Sequence, residues 1–180
     1  MAEKPVLYWD SCMFFEWLGE QASTPTNRKA KVLEIVEANR RRENLIITSV
    51  ITHLEVLDAK LREKDPAAVE DYNNLFDGEF FADVNIDMNI ITRAREIRDH
   101  YYRPKTETSA AKMMDLGDAI HLAAASIYEV AEFHTRDNDS KKKKIPLLSL
   151  YDIYGETKLC GKYDLIIVSP ESDQSELFDK

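Results

Sequence analysis

The chain has 180 residues, 44% hydrophobic and 32% charged, with 24 basic and 33 acidic side chains and a formal net charge of −9. That size suits one domain able to bury a core without covalent staples, and the composition excludes a mostly disordered chain or a disulfide-dense scaffold, since the only cysteines are Cys12 and Cys160. A protein this acidic does not coat nucleic acid by bulk attraction; it would need local basic patches or a bound cation.

In chain order, Val6-Leu7-Tyr8-Trp9 is a short apolar run ending at Asp10 and reads as a buried strand. Residues 11–20 read as a helix with Phe14, Trp17 and Leu18 on one face. Ser23-Thr24-Pro25-Thr26 is a break, with Thr26 or Asn27 a candidate cap for a helix to about Arg42 that turns Val32, Leu33, Ile35 and Val36 inward. Leu45-Ile46-Ile47 is a second strand, and Thr48 or Ser49 caps one helix through about Glu63, with Ile51, Leu54 and Leu57 at helical spacing. Pro66 opens a further helix to about Phe76. A third strand falls within Phe80 to Ile86, and residues 88–102 form a helix through Ile90, Ile91, Ala94, Ile97 and Tyr101. The polar segment 103–112 reads as a mobile loop, and Met113 to Val130 as one or two alanine-rich helices. Phe133 marks a fourth strand, Asn138 to Lys144 a basic loop, Ile145 to Tyr154 a short apolar element, and Leu165-Ile166-Ile167-Val168 a fifth strand.

Strands alternating with helices predict an α/β fold, three layers α/β/α around a five-stranded, mostly parallel sheet. Residues 1–170 read as a single domain and 171–180 as a flexible acidic tail. No apolar run approaches the roughly 18–20 residues of a membrane span, and the start MAEKPVLYWD has no signal-peptide pattern. The expected location is the cytoplasm, with no membrane partner.

In such a fold, ligands gather beyond the carboxyl ends of the strands. Asp10 follows strand one there, Glu55 lies in the second turn of the helix after strand two, and Asp118 opens the helix before strand four. Strand four returns Thr135-Arg136-Asp137 to the same edge. Two unit charges 4 Å apart repel by about 4 kcal/mol at an effective dielectric near 20. Four converging carboxylates therefore call for protonation, basic partners or a divalent cation. Oxygen-only donors favour Mg²⁺ or Mn²⁺ over Zn²⁺. Such a site can hold a phosphodiester oxygen and activate water for in-line attack.

At these residues the sequence resembles the PIN-domain nucleases, including their VapC-like toxin ribonucleases. VLYWDSC resembles the first motif, a strand ending in Asp, and TSVITHLEVL is similar to the second, a Ser/Thr-led helix carrying Glu. DAIHLAAA matches the third, an Asp opening an alanine-rich helix, and FHTRDND resembles the fourth, a strand ending in Thr-x-Asp. The resemblance spans residues 5–150 and implies a five-stranded parallel sheet, Mg²⁺- or Mn²⁺-dependent ribonuclease activity, RNA as substrate and frequent dimerisation. It makes Asp10, Glu55, Asp118 and Asp137 the catalytic, metal-binding acids, with Asp139 a substitute or helper for Asp137. Many members are toxins restrained by an antitoxin.

Each acid also has a structural reading. Asp10 can cap a helix, Glu55 can be a solvated helix residue with Lys60 and Arg62 within two turns, Asp118 can face a helix dipole, and Asp137 and Asp139 can form turns. Asp115 reads as a structural or supporting residue, His121 as a packed histidine, and Ser11 and Thr135 as hydroxyls that bond either the site or nearby backbone. Cys12 reads as a buried thiol. Lys141, Lys142 and Lys143, within the run to Lys144, are candidate RNA contacts beside the acids, as are Arg103 and Lys105 in the polar loop. Arg136 would contact phosphate or pair with a nearby acid. The rival reading is a catalytically inactive module that binds RNA or protein. A phosphatase ranks last, because Asp10-Ser11-Cys12 lacks the second Asp of a DxD nucleophile.

Overall fold

Parallel strands covered on both faces must be apolar on both faces, and the short runs at Val6–Trp9 (β1), Leu45–Ser49 (β2) and Phe81–Val84 (β3) follow that rule. The computed structural model describes residues 4–19, 26–76, 80–138, 144–153, 156–159 and 165–171. Five strands form one parallel sheet in the order β3-β2-β1-β4-β7, where β4 is Glu132–His134 and β7 is Ile167–Val168. Tyr8 aligns with Ile47 of β2 and with Phe133 of β4, and Phe133 in turn with Ile167.

Side chains alternate across this sheet and divide the core in two. Leu7, Trp9, Ile46 and Phe81 face α1 (Ser11–Leu18), α2 (Thr26–Arg40), α4 (Asp58–Lys64) and α5 (Ala68–Leu75), meeting Met13, Phe14, Val32, Val36, Leu61 and Tyr72. Tyr8, Ile47 and Phe133 face α6 (Met88–Tyr101) and α7 (Leu116–Ile127), meeting Ile90, Ala94, Ile97, Leu122 and Ala123. The predicted three-layer α/β/α arrangement is the one observed, and its sheet is wholly parallel. The alanines of α7 let it lie close to the sheet: Ala119, Ala123, Ala124 and Ala125 are all fully buried.

Several local expectations are corrected. The single helix expected from Thr48 to Glu63 is two: α3, the turn Thr52–Glu55, and α4. Val56 (φ −82°, ψ 84°) breaks it by turning its side chain into the core, which leaves Leu54 and Leu57 exposed. Thr48 caps nothing; its buried hydroxyl donates to the Trp9 carbonyl at 2.7 Å and meets the Thr52 hydroxyl at 2.6 Å. Leu33 points outward, one residue off its helix's buried stripe. Segment 103–112 is an exposed loop, closed at its base where Arg103 and Lys112 exchange backbone hydrogen bonds at 3.0 and 2.9 Å. A 3₁₀ turn at Leu147–Leu150 and a two-stranded antiparallel ladder, β5 (Tyr151–Ile153) with β6 (Glu156–Leu159), follow the fourth strand. That ladder was not expected. The break at Ser23–Pro25, Cys160 and the tail from 172 lie outside the described residues. Among the described residues no helix is long and apolar enough to cross a membrane.

Candidate active site at the carboxyl edge of the sheet

With every strand of the main sheet parallel, all carboxyl ends lie along one edge, and the strand order changes direction between β1 and β4. A crevice opens at such a switch point. Here it is an open cleft of about 480 Å³ whose floor and walls include Asp10, Glu55, Asp118 and Asp137. The four acids singled out in the sequence are brought together.

Asp10 is fixed first by its own helix. It is the N-cap of α1, its Oδ1 accepting from the Cys12 amide at 3.0 Å. Asp10 is 3% exposed, and burial lifts its pKa from 3.8 to about 6, against the Thr135 hydroxyl bonded to it, which holds it down. Thr135 also accepts from the Asp137 amide at 3.0 Å. One buried hydroxyl therefore ties the first acid to the fourth.

Glu55 ends α3 and reaches α7. Its Oε2 accepts from His121 Nε2 at 2.8 Å, and His121 Nδ1 accepts from the Tyr8 hydroxyl at 2.8 Å. That assignment follows from the carboxylate, which can only accept. Burial works to raise the Glu55 pKa, but the hydrogen bonds from His121 and Ser11 outweigh it and hold the carboxyl below its ordinary value. Gly117 makes the approach possible. A Cβ there would lie 2.3 Å from Glu55 Oε1, inside any real contact distance.

Asp118 sits in the first turn of α7, whose N-cap is Asp115, its Oδ1 accepting from the Gly117 amide at 3.0 Å. Burial lifts the Asp118 pKa from 3.8 to about 6, eased by Lys144 and reinforced by Asp137 and Asp115. Its Oδ2 is buried and has no hydrogen-bond partner. Asp137 accepts from the Leu147 amide at 3.0 Å. Between these two carboxylates lies the Lys144 ammonium, 3.1 Å from each Oδ2 and off hydrogen-bond geometry at Asp118. Burial works against the charge of Lys144, but Asp118 and Asp137 outweigh it and raise its pKa.

A sequence profile for the PIN domain matches residues 7–146, most of the chain and all four acids. The chain belongs to the PIN domain family. Members are in general metal-dependent nucleases, and nuclease-type hydrolysis is the activity that membership assigns to this one. No curated protein matches the chain.

The PIN domain's donor set fits a hard divalent cation: four carboxylates at one edge, one buried oxygen already met by a cation, the Lys144 ammonium, and a glycine that makes room for Glu55. Among the described residues, no three metal-ligating side chains are drawn close enough to enclose an ion as they stand. The Lys144 ammonium holds the Asp118–Asp137 pair instead.

The remaining sequence candidates fall as follows. Asp115 is a cap that also lines the cleft, and His121 is a packed histidine that also orients Glu55. Cys12 lines the cleft, and burial pushes its thiol up, keeping it protonated. Arg136 pairs with Glu16 and also donates to Ser169 Oγ and the Pro170 carbonyl, each at 2.7 Å, so it is a structural clamp rather than a phosphate contact. Arg103 and Lys105 are exposed on their closed loop and do not line the cleft. Asp139, Lys141, Lys142 and Lys143 lie outside the described residues.

The sequence reading places Lys144 in a basic run of candidate RNA contacts beside the acids, whereas its ammonium lies between two of those acids. The pairing of Met113 with Lys144 that carries it to the acids joins distant segments, and no local pattern announces it. Gly117 could have been found. A glycine directly before the motif's Asp is costly in a helix and needs a reason.

Proposed function

We propose that this PIN domain is a Mg²⁺- or Mn²⁺-dependent endoribonuclease, the toxin of a toxin–antitoxin pair. The observation that carries the proposal is the buried Asp118 Oδ2 without a hydrogen bond, set among three further carboxylates. Asp10, Glu55, Asp118 and Asp137 would hold the cation. When bound, it would offset the charge that builds on the scissile phosphate and lower the pKa of the attacking water. Thr135 fixes the Asp10 and Asp137 arms, while His121 and Ser11 keep Glu55 ionised and aimed. Hydrolysis by water leaves a 3′-hydroxyl and a 5′-phosphate. RNA as substrate, a homodimer and an antitoxin laid across the acidic edge are carried by the family resemblance. Inhibition of cleavage by the coexpressed product of an adjacent reading frame tests the antitoxin.

The test of activity is cleavage of structured and single-stranded RNAs with Mg²⁺, Mn²⁺ or EDTA, by wild type and Asp10→Asn in parallel. Asn keeps the helix cap, so the variant is expected to fold. Cleavage by wild type alone, abolished by EDTA, is the expected result; equal cleavage by both proteins overturns the assignment. A second reading, a PIN-fold module that binds without cleaving, draws on the ammonium that already sits between Asp118 and Asp137. RNA binding without metal-dependent turnover would favour it.

A further inference from the structure

We propose that Lys144 is a tethered counter-cation, holding Asp118 and Asp137 together in the metal-free protein and expelled from between them when a divalent cation binds. The inference rests on the metal-site reading above. Its ammonium is equidistant from the two carboxylates, 3.1 Å from each inner oxygen. The ammonium is shared between two carboxylates rather than directed at one, so what holds the lysine there is charge more than direction. A compact ammonium on a flexible four-carbon stem suits that role and can leave it.

The surroundings provide both an anchor and an exit. Backbone pairing with Met113 and the fully buried Ile145 fix where the Lys144 stem begins. The side chain is 29% exposed and lines the open cleft, so solvent lies on one side of it. The two acids differ in what remains to them. Asp137 keeps the Leu147 amide on the oxygen that the lysine leaves. Asp118 Oδ2 has no such replacement and stays unpartnered until another cation arrives. A single positive charge only partly neutralises the pair, with Asp10 and Glu55 close by. A divalent ion brings twice the charge to the same oxygens and displaces the weaker occupant.

Lys144 is thus a positioning residue that acts through the acids, and its removal has a signature that loss of a mere support lacks: metal binding becomes stronger. The experiment uses the full chain as wild type, Lys144→Met and Lys144→Arg, with Mn²⁺ binding followed by calorimetry and thermal melts recorded in EDTA and in Mn²⁺. Lys60→Met is the control for net charge, since Lys60 lines the same cleft with its ammonium 5.7 Å from the Phe15 ring centroid. Lys144→Met is expected to melt lower in EDTA, to bind Mn²⁺ about tenfold more tightly, and to gain more Tm from it, because metal no longer has to displace a resident charge. Lys144→Arg keeps the charge and is expected to keep the EDTA melting point. Unchanged or weaker Mn²⁺ binding by Lys144→Met overturns the inference, as does an equal gain in Lys60→Met. Mn²⁺ bound by no variant overturns the proposed metal site and this inference together; Mn²⁺ bound equally by wild type and Lys144→Met overturns the inference alone.

Discussion

Gly117 decides where Glu55 can stand. Its missing side chain is the space the Glu55 carboxylate occupies, with only 2.3 Å to a Cβ built there. Alanine is the better helix former by about 1 kcal/mol. Gly117→Ala should therefore keep or slightly raise the stability of the fold while displacing Glu55 from His121 and from the other acids. Metal-dependent RNA cleavage is expected to fall on the order of 100-fold, the usual cost of a misplacement of about an ångström. Thermal melts and kcat/KM measured on one preparation check both halves. A loss of activity that merely tracked a loss of folded protein would remove the steric argument.

At the level of elements, Arg136 joins three of them at one guanidinium: β4, whose end it follows, α1 through Glu16, and the segment after β7 through Ser169 and Pro170. The Arg136 and Glu16 side chains are only 11% and 9% exposed. Removing one partner of a buried ion pair strands the other, at a cost of about 3 kcal/mol or more. Arg136→Met is thus expected to lower stability by that order in denaturant titration, while the folded fraction still binds Mn²⁺ as wild type does. Such residues mark the boundary of what a sequence discloses. The strands, the layers and the four acids were legible because each depends on short-range patterns: an apolar run stopped by Asp, or an Asp opening an alanine-rich helix. The break at Val56 was not, because the spacing of Ile51, Leu54 and Leu57 continues across it, and only packing against the core turns Val56 inward. Leu33 was misplaced for a related reason, since its hydrophobicity says nothing of the 100° step that carries it off the buried stripe. Lys144 and the Arg136 clamp depend on contacts between distant segments, which no window of sequence contains.

For the whole molecule, the buried acids set a cost that grows with pH. Asp10 and Asp118 move from an ordinary 3.8 to about 6 on folding. Between those values the folded protein holds protons that the unfolded chain has released, so its stability falls as pH rises through the window and stays low above it. Glu55, whose pKa is depressed, works the other way: its contribution is present above its unfolded value and is lost as pH falls through the folded one. Glu43, Asp87 and Glu132 are depressed as well, but such contributions are in place once pH exceeds the ordinary carboxylate range, so the two raised acids, with a net charge of −9 adding self-repulsion, set the sign, and the metal-free protein is expected to melt lower at pH 8 than at pH 5. Cation binding requires ionised carboxylates, so the Tm gained from Mn²⁺ should grow over the same interval. Melts at the two pH values, with EDTA and with Mn²⁺, test both signs.

The pairing of β4 with β7 has a consequence for how the protein is made. Residues 7–146 already include all four acids, yet the strand on the side of β4 away from β1 is Ile167–Val168, and the Thr135 amide is satisfied by the Val168 carbonyl at 3.0 Å. During synthesis on the ribosome, the outer edge of β4 stays bare until that last strand clears the exit tunnel, and Arg136 reaches Ser169 and Pro170 later still. The strand that delivers Asp137 is therefore locked among the last parts of the fold, and a nascent chain carries all four acids of the cleft before that strand has its outer partner.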